Sequence, residues 1–225
     1  MSFLTQLPAL KLAGLSVHLG RFDASQFSEA QAKWLHCPEY DVLKKAVLKR
    51  QAEFVAGRML AQQALRECGA PFEQPIAIGK HRQPLWPQGV AGSISHSLKF
   101  AACAVTTKPQ ALLGLDIEET FSFAVARSIQ AMVGTPTEWA LLLEKMALDQ
   151  AVTLLFSAKE SVFKALFPTI NRYLEFSDAR LESIEHNCLI LKLQHAPISN
   201  CYRVLFTWRE ASVLTMVFED RSENA

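Results

Sequence analysis

Three acids follow a short apolar run in the segment LLGLDIEE, residues 112–119, and two of them, Asp116 and Glu118, are two residues apart. Side chains alternate between the two faces of a strand, so the carboxylates of Asp116 and Glu118 are expected to emerge side by side if this segment is a strand. Such acids can simply fan into solvent where the strand ends, and for this segment taken alone that outcome is the more common one. Carboxylate oxygens on one face are also the ligands by which Mg²⁺ is usually held. The segment alone therefore leaves a solvated end and a metal site as alternatives.

A further acid, Glu160, lies in the segment FSAKESVFKAL, residues 156–166, where apolar residues repeat at helical spacing. Glu160 and Lys164 are four residues apart, which on an exposed helix gives an ion pair that contributes about 0.2–0.5 kcal/mol and has no chemical role. Serine and phenylalanine crowd this turn, however, where a purely solvated face would carry alanine, glutamine and glutamate. We therefore expect the turn to border another part of the molecule or a ligand.

A third group of side chains supplies cations and hydroxyls. It consists of Arg50 and Arg58, eight apart on a predicted helix, Lys80 and Arg82 on a loop, and Ser95 and His96 at the end of a predicted strand. A serine hydrolase is excluded because the chain has no GxSxG elbow and adjacent strand residues point to opposite faces. These side chains are better read as donors around an anion, and the alternative is a surface histidine with solvated arginines.

Composition restricts the classes of function. The chain has 225 residues, is 50% hydrophobic and carries a net charge of +1, so it can bury a large core and has no overall field that would attract nucleic acid or an anionic membrane. The five cysteines are odd in number and widely spaced, which argues against a disulfide framework and favours a reducing cytoplasm. No apolar run approaches the roughly 20 residues of a membrane-spanning helix, and no basic region precedes the N-terminal apolar residues.

The order of predicted elements indicates a duplicated α+β unit. In the first half we predict a strand at 15–22, one long amphipathic helix from Val42 to Leu65, and strands at 91–97, 100–107 and 112–119. In the second half we predict helices at 123–133, 137–146 and 147–167, the last one stopped by Pro168, and strands at 188–194, 202–208 and 212–218. Each half thus reads as a long helix followed by about three strands.

Five segments in this order and spacing resemble the 4′-phosphopantetheinyl transferases, and most of all their enterobactin synthase component D type. They are KRQAEFVAGR (49–58), RQPLWP (82–87), GSISHS (92–97), GLDIEE (114–119) and FSAKESVFKA (156–165). The resemblance covers about residues 10–218. It implies an α+β fold of two similar subdomains related by pseudo-twofold symmetry, residues 1–113 and 114–225, with coenzyme A in the cleft between them.

The resemblance also implies a reaction and a set of catalytic residues. In this family the 4′-phosphopantetheine arm of coenzyme A is transferred to a serine of an apo acyl, peptidyl or aryl carrier protein, with release of adenosine 3′,5′-bisphosphate. By position in the motifs, Mg²⁺ is expected at Asp116, Glu118 and Glu160. Glu160 is also the expected base for the carrier serine, and Lys164 is expected to stabilise the departing bisphosphate.

The coenzyme A phosphates are expected to contact His96 and Ser95. Arg50 and Arg58 on the predicted helix, and either Lys80 or Arg82 on the loop, are expected to contact them as well. Which of these last two cations binds a phosphate stays open, because many relatives read GKP at the place where this chain reads HRQP.

The type of relative points to carriers of a siderophore or other nonribosomal peptide synthetase. We expect a monomer in the cytoplasm, with no nucleic-acid partner and no membrane span. Two other functions remain open at this point: a noncatalytic coenzyme A-binding module, and a metal-dependent phosphoesterase that acts without a carrier.

Overall fold

The computed structural model describes residues 3–34, 43–70, 75–194 and 201–221. It combines helices with antiparallel sheets, which confirms the predicted α+β class. The chain forms two compact units, one made of Met1–Ala111 with Asp220–Ala225 and the other of Leu112–Glu219. Within the described ranges, no helix is both long and apolar enough to cross a lipid bilayer.

The first unit contains a four-stranded antiparallel sheet and one long helix. Its elements are β1 (Leu4–Leu12), β2 (Leu15–Phe22), α1 (Glu29–Trp34), α2 (Leu48–Glu67), β3 (Ala77–Ile78), β4 (Pro84–Leu85), β5 (Ala91–His96) and β6 (Phe100–Thr106). The sheet has the order β1-β2-β6-β5, and β3 pairs with β4 in a short separate hairpin.

The helix α2 packs closely against the sheet of the first unit. Val55 and Leu60 are fully buried in the core between them. The approach is tightest at Gly57, where a Cβ atom would lie 2.7 Å from the Cγ2 atom of Ile94 on β5. A glycine at this position therefore allows α2 to lie against the strand that ends in His96.

The start of α2 corrects the predicted helix, which extended from Val42. Val42 lies outside the described residues, and α2 begins at Leu48. Before it the chain turns, with the amide of Ala46 donating to the carbonyl of Leu43 at 2.8 Å. The side-chain amide of Gln51 then donates to the carbonyl of Ala46 at 2.8 Å. Apolar spacing continues across this turn, so periodicity alone could not show the break.

The second unit contains a five-stranded antiparallel sheet and a long helix. Its elements are β7 (Leu112–Glu119), α3 (Phe123–Val133), α4 (Pro136–Leu143), α5 (Leu148–Ile170), β8 (Ala179–Glu185), β9 (Cys188–Leu193), β10 (Cys201–Arg209) and β11 (Ser212–Glu219). The strand order is β7-β11-β10-β9-β8. The predicted bounds of β7 and α3 agree with the structure.

Two other predictions about element order and length are wrong. β7 pairs with β11 in the second sheet although it precedes α5, and β1 and β2 join the first sheet although they precede α2. Neither unit is therefore simply a long helix followed by three strands. Pro168 does not stop α5, which continues to Ile170 and ends at Asn171 in the left-handed conformation, with φ of 49°. The proline lies in the last turn, where its missing N–H removes a single helical hydrogen bond.

The contact between α5 and the sheet is fixed by a glycine and by buried hydroxyls. A Cβ atom on Gly114 of β7 would lie 1.9 Å from the carbonyl oxygen of Ser161, so β7 and α5 approach backbone to backbone. Beside this contact the hydroxyl of Ser161 lies 2.6 Å from that of Thr215, which is itself 2.9 Å from the hydroxyl of Ser157. The serines that set this turn apart in the sequence therefore join the helix to β11.

Candidate functional site

Acidic side chains from β7 and α5 form the main candidate site, which lies within the second unit. Asp116 and Glu118 share one face of β7, as the strand alternation predicts. From α5, the Nζ atom of Lys164 contacts Oδ1 of Asp116 at 2.6 Å. The carboxylate of Asp116 is 4% exposed and the side chain of Lys164 is 31% exposed, so this ion pair lies at the edge of the solvent.

The electrostatics of Glu118 show how strongly the acids interact. Burial is the main cause of its raised pKa, and the carboxylate of Asp116 raises the pKa further. Lys164 lowers the pKa, while Glu160 and Glu119 raise it by smaller amounts. The pKa of Glu118 is raised to about 8 as a result. Glu118 therefore holds a proton more tightly near neutral pH than an ordinary glutamate does.

The carboxyl group of Glu160 is perturbed in the same direction. Burial is the main cause of its raised pKa; Lys164 lowers the pKa and Asp116 raises it. An acid whose pKa is raised can accept and release a proton closer to neutral pH than an ordinary glutamate. Carboxyl groups from β7 and α5 thus share one electrostatic environment.

Asp116, Glu118 and Glu160 are the candidate ligands for a divalent cation. The three acids supply hard oxygen donors, and a cation would relieve the repulsion that raises the pKa of Glu118. In the arrangement described, the ammonium of Lys164 already contacts Asp116, and no group of three or more His, Cys, Asp or Glu side chains among the described residues stands ready to hold a metal ion. The donor chemistry fits a hard cation, and its binding would require these side chains to shift.

The predicted anion-binding residues Arg50 and His96 meet within the first unit. The Nη1 atom of Arg50 on α2 lies 2.8 Å from Nε2 of His96 at the end of β5. Oε2 of Glu53 lies 3.4 Å from the same guanidinium nitrogen and 3.7 Å from Nδ1 of the imidazole. α2 thus brings a cation and a carboxylate to a ring nitrogen that a phosphate oxygen could approach.

Comparisons with known proteins identify the family of the chain. A family model described as the 4′-phosphopantetheinyl transferase N-terminal domain matches residues 38–106, and one described as the 4′-phosphopantetheinyl transferase superfamily matches residues 112–213. The chain is 44% identical over 158 residues to enterobactin synthase component D of Escherichia coli (strain K12), covering 70% of this chain and 73% of that protein.

The chain belongs to the 4′-phosphopantetheinyl transferase superfamily. It is also 36% identical over 213 residues to enterobactin synthase component D of Salmonella typhi, covering 92% of this chain and 88% of that protein. With the 4′-phosphopantetheinyl transferase Npt of Nocardia iowensis it shares 34% identity over 150 residues, 65% of each chain. The resemblance inferred from five motifs is confirmed.

Two other residues that the superfamily motifs single out, Arg58 and Ser95, are buried in this transferase. The guanidinium of Arg58 donates to the carbonyl of Ala77 at 3.3 Å and lies over the ring of Phe54, 4.9 Å from its centre. Arg58 thus joins α2 to the β3–β4 hairpin. Ser95 is 5% exposed and lies on the face of β5 opposite His96. The predicted phosphate contacts of these two buried residues stay predictions.

The β3–β4 hairpin carries Lys80 and Arg82, where this transferase departs from the GKP of many superfamily members. Gln83 takes the place of the lysine and folds into the hairpin, where its side-chain oxygen accepts the amide of His81 at 2.9 Å. Its carbonyl accepts the amide of Gly79 at 2.8 Å, which closes the turn. Gln83 therefore stabilises the hairpin, and Lys80 and Arg82, both exposed, are cations at its tip.

One buried ion pair was missed by sequence reasoning. Nζ of Lys159, the residue before Glu160, lies 2.8 Å from Oε1 of Glu138 and also donates to the carbonyls of Val133 and Phe176 at 2.8 and 3.0 Å. The first residue of the superfamily's KES segment therefore anchors α5 to α3 and α4. The sequence offered one signal, the TxxE capping box that begins α4 with Glu138.

Glu53 was also missed. It is part of KRQAEFVAGR, yet its side chain is only 11% exposed and lies among Lys49, Arg50 and His96. A glutamate between basic residues on a helix ordinarily indicates solvated i, i+3 and i, i+4 pairs, so burial of its carboxylate could be learned only from the structure.

Proposed function

We propose that the protein transfers the 4′-phosphopantetheine arm of coenzyme A to a serine of an apo carrier protein and releases adenosine 3′,5′-bisphosphate. The observation that carries the proposal is the group of acids on β7 and α5, with Lys164 2.6 Å from Asp116 and the pKa of Glu118 raised to about 8. Such a concentration of buried negative charge beside a cation is costly for stability alone, and it fits a site that binds a metal and a pyrophosphate. Membership of the superfamily supports the same reaction.

In the proposed reaction the serine hydroxyl of the carrier attacks the β-phosphorus of coenzyme A. A bond forms between the serine oxygen and phosphorus, the phosphoanhydride bond breaks, and the serine proton passes to Glu160. The raised pKa of Glu160 suits this role, because a carboxylate with higher proton affinity is a better base near neutral pH. The reaction then depends mainly on in-line positioning and charge stabilisation.

Lys164 is the proposed partner of the leaving bisphosphate. Its ion pair with Asp116 orients the ammonium towards the acids of β7. When the pyrophosphate is bound, the ammonium moves to a phosphate oxygen, and its positive charge stabilises the negative charge that develops as the bond breaks.

Asp116, Glu118 and Glu160 are the residues that would hold Mg²⁺. When bound, the ion would neutralise charge on the pyrophosphate. The cations of the first unit, Arg50 and His96 with Lys80 or Arg82, are the proposed partners of the coenzyme A phosphates.

Two other functions predict different products. A noncatalytic coenzyme A-binding module would bind coenzyme A and release no bisphosphate. A metal-dependent phosphoesterase using the same acids would hydrolyse simple phosphate esters in the absence of any carrier. Full family-type motifs that include Glu160 and Lys164 favour the transferase over both.

The test is intact-protein mass spectrometry of apo carrier proteins incubated with the protein, coenzyme A and Mg²⁺. Acyl, peptidyl and aryl carriers should be compared, each with a control in which the acceptor serine is replaced by alanine. The proposal expects the mass of the phosphopantetheine arm on at least one carrier and never on its alanine control. Turnover of p-nitrophenyl phosphate without a carrier, and no modified carrier, would instead identify a phosphoesterase.

The kind of carrier protein is inferred from the relatives of the chain. The names of several relatives connect them with enterobactin synthesis, and we extend this to a carrier domain of a siderophore or other nonribosomal peptide synthetase as the partner. A monomer in the cytoplasm and subdomains 1–113 and 114–225 stay predictions.

A further inference from the structure

Glu53 is a largely buried acid among cations proposed to bind phosphate. Its Oε2 atom lies 3.4 Å from Nη1 of Arg50 and 3.7 Å from Nδ1 of His96, and its Oε1 atom lies 3.8 Å from Nζ of Lys49. A negative charge at this place repels a phosphate, which weakens anion binding unless the carboxylate has another effect.

The position of Arg50 determines where His96 carries its proton. Nη1 of Arg50 lies 2.8 Å from Nε2 of the ring, and a guanidinium can only donate hydrogen bonds. Nε2 therefore accepts, the ring is neutral, and its proton is on Nδ1, which faces Glu53. In this state the ring cannot donate from Nε2 to a phosphate oxygen, which can only accept.

Binding of a phosphate at this place requires two changes. Arg50 must release Nε2 of His96 to donate to the phosphate, and Nε2 must carry a proton so that it can donate as well. A neutral ring with its proton on Nε2 would turn the lone pair of Nδ1 towards the carboxylate of Glu53, 3.7 Å away, so the ring keeps the proton on Nδ1 and gains a second one on Nε2. The resulting imidazolium would have the phosphate on one side and the carboxylate of Glu53 on the other.

The other charges near the ring oppose its protonation. Arg50 contacts it from α2, Lys49 of α2 contacts the other oxygen of Glu53, and Lys99 is exposed in the turn between β5 and β6. Across the sheet His96 pairs with Ala101 of β6, which brings no charge. The carboxylate of Glu53, 3.7 Å from Nδ1, offsets these cations.

We propose that Glu53 is a positioning residue that orients Arg50 and His96 and stabilises the protonated His96 on which a coenzyme A phosphate depends. Binding of coenzyme A is consequently coupled to uptake of a proton. The inference rests on the proposed function for the identity of the ligand, and its test separates failure of the two.

The test is calorimetric titration of coenzyme A into the full chain at pH 6 and pH 8, in buffers of different ionisation enthalpy so that proton uptake is measured. The wild type should take up close to one proton at pH 8, and His96→Gln should remove this uptake. Glu53→Gln should weaken binding about tenfold at pH 8 and under about threefold at pH 6, because the ring protonates more readily at low pH.

The matched control is Glu67→Gln. Glu67 lies on the same helix, and its Oε2 atom is 3.7 Å from Nε2 of His18, so this variant removes an equivalent charge and an equivalent contact elsewhere. It should bind coenzyme A and take up protons as the wild type does.

If Glu53→Gln weakens coenzyme A binding equally at both pH values, Glu53 has a packing role only. If Glu53→Gln binds coenzyme A more tightly, the carboxylate of Glu53 simply repels the phosphate. Either result overturns the inference. Because the proton count is measured on the wild type, the coupling of binding to proton uptake is tested without any variant. A wild type that binds coenzyme A without proton uptake at pH 8 overturns this inference alone, and one that does not bind coenzyme A overturns the proposed function with it.

Discussion

The buried pair of Glu138 and Lys159 should be the most sensitive ion pair of the second unit. Their side chains are 2% and 1% exposed, and their charged atoms are 2.8 Å apart. We consider three changes: Lys159→Met, which keeps the length of the side chain without its charge, Glu138→Gln, and the two together.

The contacts of this pair set the size of the effect. All three protons of the ammonium have acceptors, namely Glu138 and the carbonyls of Val133 and Phe176. The carboxylate also accepts the amides of Leu181 and Thr135, at 3.0 and 2.8 Å. Removal of one partner leaves a buried charge without its counterion, so each single change should cost about 3–5 kcal/mol of unfolding free energy, or roughly 6–20 °C in Tm.

In the double variant neither charge is left without its counterion. Its loss of unfolding free energy should therefore be smaller than the sum of the losses in the two single variants, by a coupling free energy of about 2 kcal/mol or more. Thermal and urea unfolding followed by circular dichroism measures this cycle. Arg203→Met is the control, since Arg203 pairs with Glu185 at 3.3 Å on the surface, with both side chains more than half exposed, and should cost about 1 kcal/mol or less. Additive effects of the two buried changes would refute the reasoning.

Three further predictions concern packing, catalysis and pH. Gly114→Ala should cost about 3 kcal/mol or more and abolish transfer, because the new methyl group would overlap the carbonyl of Ser161; an unchanged Tm would contradict this contact. Glu160→Gln should bind coenzyme A yet transfer slowly at any Mg²⁺ concentration in a steady-state assay, and full recovery at high Mg²⁺ would refute its role as the base. Burial lowers the pKa of His18 below its usual 6.5, and Glu67 opposes this effect only in part. The unfolded chain therefore binds more protons than the folded one at low pH. The free energy of unfolding should consequently fall as the pH drops below about 6.5. His18→Gln should reduce this loss between pH 7 and pH 5 in urea unfolding, and an identical loss in both proteins would exclude His18 as its source.

Most strands could be predicted from the sequence, but β1 and β8 could not. β6 and β7 carry apolar runs that the sheets bury, β5 does not, and all three agree with prediction within one residue. β1 and β8 lie at sheet edges, each pairs with a single neighbour across a register shift, and each is only partly buried. In each strand the register shift interrupts the alternation on which a prediction depends.

The acids of the candidate site were predictable because their spacing in β7 and α5 matches a family motif. Their partners depend on tertiary contacts between distant segments, which spacing does not reveal: Lys164 meets Asp116 across 48 residues, and Arg50 meets His96 across 46. The burial of Lys159 and Glu53 was hidden for the same reason, since charged helix residues are ordinarily exposed.

The most direct test of the proposed transfer is to measure both products of one reaction. Purified protein is incubated with coenzyme A, Mg²⁺ and an apo carrier, and the holo carrier is quantified by mass spectrometry while adenosine 3′,5′-bisphosphate is quantified by liquid chromatography. The account predicts the two in equal amounts, with both lost together in Asp116→Ala. Bisphosphate released without holo carrier, or neither product with any acyl, peptidyl or aryl carrier, would contradict it.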